Sequence, residues 1–192
     1  MKKVVATALV LASLSKAANA QTGSILVGGN IGLETSKTPA TPNNIRTTQF
    51  MFSPTVGYQI DNNWTAGIVA DIETYKTNNA SNAESKSGKT GVGPFVRYAK
   101  SLSNTFAVYG QLQGLFGNTK LDGSKAGSFA DVAAFPALFI NFKNGFGLNF
   151  SVGGIEYGSN KPTGGKTANS FSITFGQGAS FGISKNFGTR KK

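Results

Sequence analysis

Large apolar residues in this chain recur at every second position, and they do so in eight separate stretches. A period of two sends alternate side chains to opposite faces of an extended backbone, so each stretch predicts a strand with one apolar face. The first, Ser24 to Glu34, carries Ile25, Val27, Ile31 and Leu33 on that face, and the second, Gln49 to Ile60, carries Phe50, Phe52, Val56, Tyr58 and Ile60. Trp64 to Tyr75 follows with Trp64, Ala66, Ile68, Ala70 and Ile72; Thr90 to Ala99 with Val92, Pro94, Val96 and Tyr98. Pro94 is an awkward residue for a fully paired strand, because it has no N–H to give the ladder. Thr105 to Phe116 places Phe106, Val108, Leu112 and Phe116 together, and Phe129 to Phe142 does so with Val132, Ala134, Leu138, Ile140 and Phe142. The last two are Phe146 to Glu156, with Phe146, Leu148, Phe150 and Val152, and Ser170 to Phe187, where seven apolar residues from Phe171 to Phe187 alternate with Ser, Thr, Gly and Asn.

The connections alternate in length. Asp61 to Asn63, Lys100 to Asn104 and Lys143 to Gly145 are tight, whereas Thr35 to Thr48, Lys76 to Lys89, Gly117 to Gly127 and Gly158 to Asn169 are longer and polar. Short turns at one end and long loops at the other are the pattern of a membrane barrel, in which alternate residues face lipid and lumen. The expected fold is therefore all-β, an eight-stranded antiparallel up-and-down transmembrane β-barrel over residues 21–187. Aligning the strands on their tight turns puts Trp64, Tyr98, Phe106, Phe142, Phe146 and Phe187 at one depth, a predicted periplasmic aromatic girdle. Gln177 then falls ten residues from Phe187, at the outer interface.

Residues 1–20 read as an export signal: Lys2 and Lys3 open it, Val4 to Leu14 form a short apolar run, and Ala18-Asn19-Ala20 offers a cleavage site. The run is about half of what a membrane-spanning helix needs. Composition agrees with a barrel wall: 25 glycines, 15 phenylalanines and only 14% charged residues, against about 25% in ordinary soluble domains. No cysteine is present, so neither a lipid-attachment residue nor a disulfide framework is available. Of the net charge of +11, three units belong to Lys2, Lys3 and Lys16 of the leader, which leaves +8 for the rest.

The Ala18–Ala20 cleavage signal, the eight alternating strands and the closing segment FGISKNF, Phe181 to Phe187, resemble the small outer-membrane barrels of the OmpA/OmpX type. That resemblance implies an outer-membrane location and recognition by the barrel-insertion machinery, with Gly182, Ile183 and Phe187 as the matching insertion signal. It departs at residues 188–192, a short basic periplasmic tail, where such barrels commonly end on the aromatic residue. Outer-membrane barrel enzymes resemble one another in using a histidine as general base, and this chain has none. With cysteine absent too, the usual activated nucleophiles and transition-metal ligands are missing, so no catalytic, cofactor or metal site is expected. Ser87-Gly88-Lys89-Thr90 and Gly165-Lys166-Thr167 mimic the end of a phosphate-binding loop, but Ala83 and Asn160 stand where its first glycine belongs.

On the inward parity, Asp71 and Glu73 share the lumen with Arg97, and a hairpin centred near Glu84 would set Asp71 opposite Arg97 as an ion pair. An eight-stranded barrel has room for little beyond its own side chains, so these groups are expected to act as a plug. Tyr109, Phe95, Leu115, Phe135 and Phe139 would thicken it, leaving at most a narrow conduit. The long loops collect Lys37, Arg46, Lys76, Lys86, Lys89, Lys120, Lys125, Lys161 and Lys166, a basic collar suited to outer-leaflet lipid, including lipopolysaccharide phosphates. Without aromatic stacking platforms beside those lysines, nucleic acid is not an expected partner. The expectation is a monomeric structural or surface-interacting barrel, with a narrow porin-like channel and a soluble secreted ligand-binding barrel as the alternatives.

Overall fold

The computed structural model of the protein describes residues 23–81, 83–143 and 146–188. The leader and the last four residues of the tail lie outside the described residues. Eight strands follow in order: β1 (Ile25–Thr38), β2 (Ile45–Gln59), β3 (Trp64–Asn78), β4 (Glu84–Ser101), β5 (Phe106–Leu121), β6 (Ser124–Lys143), β7 (Phe146–Pro162) and β8 (Ala168–Phe187). Each pairs antiparallel with its sequence neighbour, and β8 returns to β1, closing a barrel. No helix occurs among the described residues.

The ends of the strands at the tight turns fall within a residue or two of the positions the alternation predicts. We call this the lower end. Its turns are locked by side chains: Asp61 Oδ1 accepts the backbone N–H of Asn63 and Trp64 at 2.7 and 2.8 Å, and Ser103 Oγ accepts that of Phe106 at 3.0 Å. The upper ends run further than expected, because the predicted long loops are mostly strand. Polar cross-strand pairs continue the ladder there, Thr47 Oγ1 meeting Thr77 Oγ1 at 3.3 Å and Glu84 bridging Lys76 and Lys86 at 2.6 and 2.9 Å. The expected loop Gly117 to Gly127 shrinks to Asp122 and Gly123, both at positive φ (47° and 84°), the two-residue hairpin turn that matches strand twist.

The β3–β4 hairpin corrects one expectation. Asn79 Oδ1 accepts the N–H groups of Ser81 and Ala83, so the turn sits earlier than Glu84 and Asn78 pairs with Glu84. Asp71 consequently lies opposite Gly91, and Arg97 opposite Thr65. Six residues, about 20 Å along a strand, separate Arg97 from the position facing Asp71, so the expected ion pair does not form.

A second departure is in β7. Its outward residues are even-numbered through Val152 and odd-numbered at Ile155 and Tyr157, because Gly153 (φ 114°) forms a bulge that flips the phase. Across the β7–β8 ladder, Ser151 pairs with Ser180 but Gly153 with Phe175, so β8 accommodates three extra residues at this level.

Inside, Leu26, Val69, Phe95, Leu115 and Phe129 form a buried apolar cluster. Space for Phe129 comes from Gly91 and Gly117, where a Cβ would stand 2.6 Å from its ring. The closing seam is the weakest in the barrel: β1 and β8 pair only from Ile25 with Phe187 to Asn30 with Gly182. Above that level no further β1–β8 pair occurs among the described residues: β1 continues to Thr38 paired with β2, and β8 from Phe175 to Ala168 is paired with β7.

Candidate functional site

Three regions hold the residues singled out from the sequence. The first is the lower rim, where Trp64, Tyr98, Phe106, Phe142, Phe146 and Phe187 all face outward and are well exposed. Trp64 and Tyr98 are cross-strand partners with ring centroids 5.0 Å apart, edge to face, and Phe142 and Phe146 lie 6.4 Å apart across the third tight turn. Of the closing segment, Ile183 and Phe187 are outward, whereas Gly182 is inward and buried against Asn30.

The second region is the basic upper end. Of the nine residues expected in loops, only Lys166 lies in one; the others stand on strands. Register sets Lys37 opposite Arg46 and Lys120 opposite Lys125, like charges face to face with no carboxylate among the described residues within salt-bridge distance. Lys76 and Lys86, also cross-strand partners, are relieved by Glu84 between them. That carboxyl is held below its ordinary value, chiefly by the hydrogen bond from Lys76 and then by that from Lys86, and the Lys86 ammonium is raised by Glu84 in return. Lys89 corrects the collar, because it points into the barrel. Its Nζ donates to Asp131 Oδ2 at 2.6 Å and rests 4.3 Å from the centroid of Phe129.

The third region is the lumen, where Asp71 and Glu73 interact with each other and face Lys89, while Arg97 stands apart from both, so the expected network of Asp71, Glu73 and Arg97 is divided. Asp71 Oδ1 accepts the Ser53 hydroxyl at 2.5 Å. Glu73 Oε2 accepts the Tyr75 hydroxyl at 2.8 Å, which in turn accepts from Gln49 at 2.9 Å. Arg97, further down, donates through Nε and Nη2 to Gln111 Oε1 at 2.9 and 2.6 Å and stacks 4.0 Å from the centroid of Tyr109. Asp131 and Gln111 were not singled out from the sequence, although both fall on the inward parity of their strands. The parity was legible; the register that brings them to Lys89 and Arg97 was not.

Beside the apolar cluster lies a cavity of about 350 Å³. Its walls are unequal. The β1, β7 and β8 side is made of small or neutral polar residues, among them Gly28, Asn30, Asn149, Thr174 and Ser184, while Arg97, Tyr109 and Gln111 reach it from the other side. Asn149 Nδ2 donates to Ser184 Oγ at 2.9 Å, and its Oδ1 has no partner among the described residues. No protein-family model matches this chain, and no curated protein matches it either.

Proposed function

We propose that the chain is an outer-membrane barrel with a structural or surface-interacting role and no catalysis. One observation carries this reading: the distribution of side chains is inverted relative to a soluble barrel. Among the described residues thirty-one large hydrophobic side chains are exposed, nearly all of them on the outward face of a strand, while Asp71, Gln111, Asn149 and Ser184 are buried within. Apolar exposure on that scale is stable against hydrocarbon and is an aggregation hazard in water. The strands have 14 to 20 residues, and 9–11 tilted residues cross a bilayer, so the upper hairpins would stand clear of it. There the unrelieved pairs Lys37/Arg46 and Lys120/Lys125 would meet lipid phosphates such as those of lipopolysaccharide, and added salt should weaken that attraction. The barrel-insertion machinery would read Gly182, Ile183 and Phe187, and the monomer suffices because one chain closes the ladder.

The absence of histidine and cysteine supports a role without catalysis. A narrow channel is the second reading, favoured by the cavity and opposed by the side chains of Phe95, Leu115 and Phe129 packed beside it. The test of membrane residence is fractionation: the protein is expected to float with outer membranes and to migrate in a heat-modifiable way on detergent gels. Recovery from the soluble extracellular fraction would overturn the proposal. In planar bilayers a plugged barrel is silent, whereas discrete steps altered by Asp71→Ala or Arg97→Ala would establish the channel.

A further inference from the structure

We propose that the unpaired upper part of the β1–β8 seam is the mouth of a lateral binding site for a single-chain amphiphile with a compact anionic head. The head enters the cavity toward Arg97, and the tail stays outside between the two strand edges. This inference rests on the membrane reading, since the tail needs hydrocarbon around it.

The opening has two independent signatures. Pairing between β1 and β8 stops at Asn30 and Gly182. Above it, residues of both parities are exposed: Ile31 (71%) and Leu33 (73%) on the outer face, and Glu34, Ser172 and Thr174 on the inner one. At the same level on β3, β4 and β6 the inward Glu73, Lys89 and Phe129 are half-buried or buried, so exposure of both faces on β1 and β8 marks a gap in the wall. Unpaired backbone N–H and C=O groups along both edges are costly inside a bilayer unless something polar reaches them.

The cavity begins at this gap. Gly28 and Asn30 of β1 and Ser172, Thr174 and Ser184 of β8 belong to its lining, so it is continuous with the seam. At about 350 Å³ it falls in the range of about 300–1,000 Å³ occupied by small-molecule sites. Small hydroxyl and amide groups line it on the seam side, which suits a polar head and not a chain of methylenes.

The charge of that head follows from Arg97. Its guanidinium borders the cavity, yet its hydrogen-bond partner is the neutral Gln111, and no carboxylate among the described residues lies within salt-bridge distance. A cation in a lumen is stabilised most by an anion, and a carboxylate or phosphate oxygen would complete the guanidinium's fork. Among the described residues the only other charged one in the lining is Glu156, which is solvent-exposed. An acid at that position opposes an anionic ligand, so its removal should tighten binding. Outside, Ile31 and Leu33 of β1 and Phe171, Ile173 and Phe175 of β8 border the gap as two apolar rims, and a chain of methylenes lying between them would cover both.

The test uses the full chain in zwitterionic phosphatidylcholine vesicles with a diazirine-bearing dodecanoate as photoprobe. Labelling is expected to concentrate several-fold on the segments around Ile31–Leu33 and Phe171–Phe175. Unlabelled dodecanoate should compete, whereas dodecanol, acetate and inorganic phosphate should not. Arg97→Gln should weaken competition about tenfold or more, the effect of losing a charge-assisted hydrogen bond. Glu156→Gln should strengthen it, and Ser172→Trp, which fills the mouth from an exposed position, should abolish it. Heat-modifiable migration of each variant verifies that the barrel is folded. Uniform labelling of the outer wall, or equal competition by dodecanol, would overturn the site while leaving the membrane reading intact. Failure of the protein to enter vesicles at all would instead overturn the membrane reading, and this inference with it.

Discussion

The two halves of the barrel are built from the same alternation and end up with opposite interiors. From β3 to β6 the inward face carries large buried residues, Val69, Phe95, Tyr109, Leu115 and Phe129, with glycines making room for them. From β7 through β8 to β1 the inward residues are, Leu26 apart, mostly small or polar, among them Asn149, Ser151, Thr174, Ser180, Ser184 and Gly28, and the cavity lies against them. The first half is packed as a protein core; the second is hollow and contains the incomplete seam. The difference teaches that strand number alone does not decide whether a small barrel is plugged. The size of the inward residues, strand by strand, decides it.

The sharpest way to break this comparison is to truncate one residue in each half. Phe95 is 3% exposed and at the centre of the buried cluster, so Phe95→Ala should cost about 3–5 kcal/mol, the lost burial plus the void it leaves. Ser184→Ala in the hollow half removes one hydrogen bond from Asn149 beside a cavity where water can replace it, and should cost less than about 1 kcal/mol. Urea titration of the refolded protein, followed by the folded and unfolded bands on a cold gel, measures both. Equal costs would mean that the halves are not distinct.

The second prediction concerns how the hollow half is shaped. At Gly153, with φ at 114°, an added Cβ would sit 1.8 Å from the Thr174 carbonyl oxygen, so alanine meets both backbone strain and a backbone clash. Gly153→Ala should destabilise by about 2–3 kcal/mol, less than the core truncation but without loss of any buried apolar surface. If the variant is as stable as the parent, the bulge is not what sets the β7–β8 register.

Much of this was legible in the sequence, and the failures are physically specific. Faces were legible because the period of two is set by each residue's own position: Trp64, Phe106 and Phe187 point outward as alternation requires. Lower strand ends were legible because tight turns have their own chemistry, as at Asp61. Upper ends were not, since Thr, Ser and Lys serve as well in an exposed hairpin as in a loop. Asp122-Gly123, the favoured dipeptide of a two-residue hairpin, was an upper signal present in the sequence but not used in the expectation of a long loop from Gly117 to Gly127. Pairings between strands depend on turn centres, and a hairpin centred on residue 81 instead of 84 was enough to move Arg97 from Asp71 to Thr65, leaving it to Gln111 on β5. The cavity was the least legible feature, because it depends on which small residues three different strands place together.

The third prediction tests the filled half's own polar contact. Lys89 on β4 and Asp131 on β6 reach each other across β5, and their side chains are 27% and 12% exposed. Asp131→Ala leaves the ammonium without its partner. Full burial would make that loss larger, but partial access to water lowers the expected cost to about 1–2 kcal/mol. Lys89→Met combined with Asp131→Ala should recover part of it, since a thioether can pack on Phe129 where the ammonium does now. Non-recovery in the double variant would mean that the pair matters for more than its charge.

The smallest effect is expected where the strands leave the barrel proper, at Glu84 between Lys76 and Lys86. Hydrogen bonds from the two ammonium groups lower the carboxyl below its ordinary value of 4.5, so its contribution is present above that value and is lost as pH falls through the lowered one. Lys86 is raised above 10.5, so its share is complete below that value and is lost only as pH rises beyond it. Between these limits the upper β3–β4 hairpin should stay closed, and acid should open it first. Because all three groups are solvent-exposed, the change should be local: faster hydrogen exchange at Thr77 and Ser85, with the unfolding midpoint of the whole barrel hardly moved. Glu84→Gln should abolish the acid dependence of that exchange. If it instead shifts global unfolding as strongly as Gly153→Ala does, the upper hairpin is part of the barrel's cooperative unit, and the division between a filled and a hollow half is too simple.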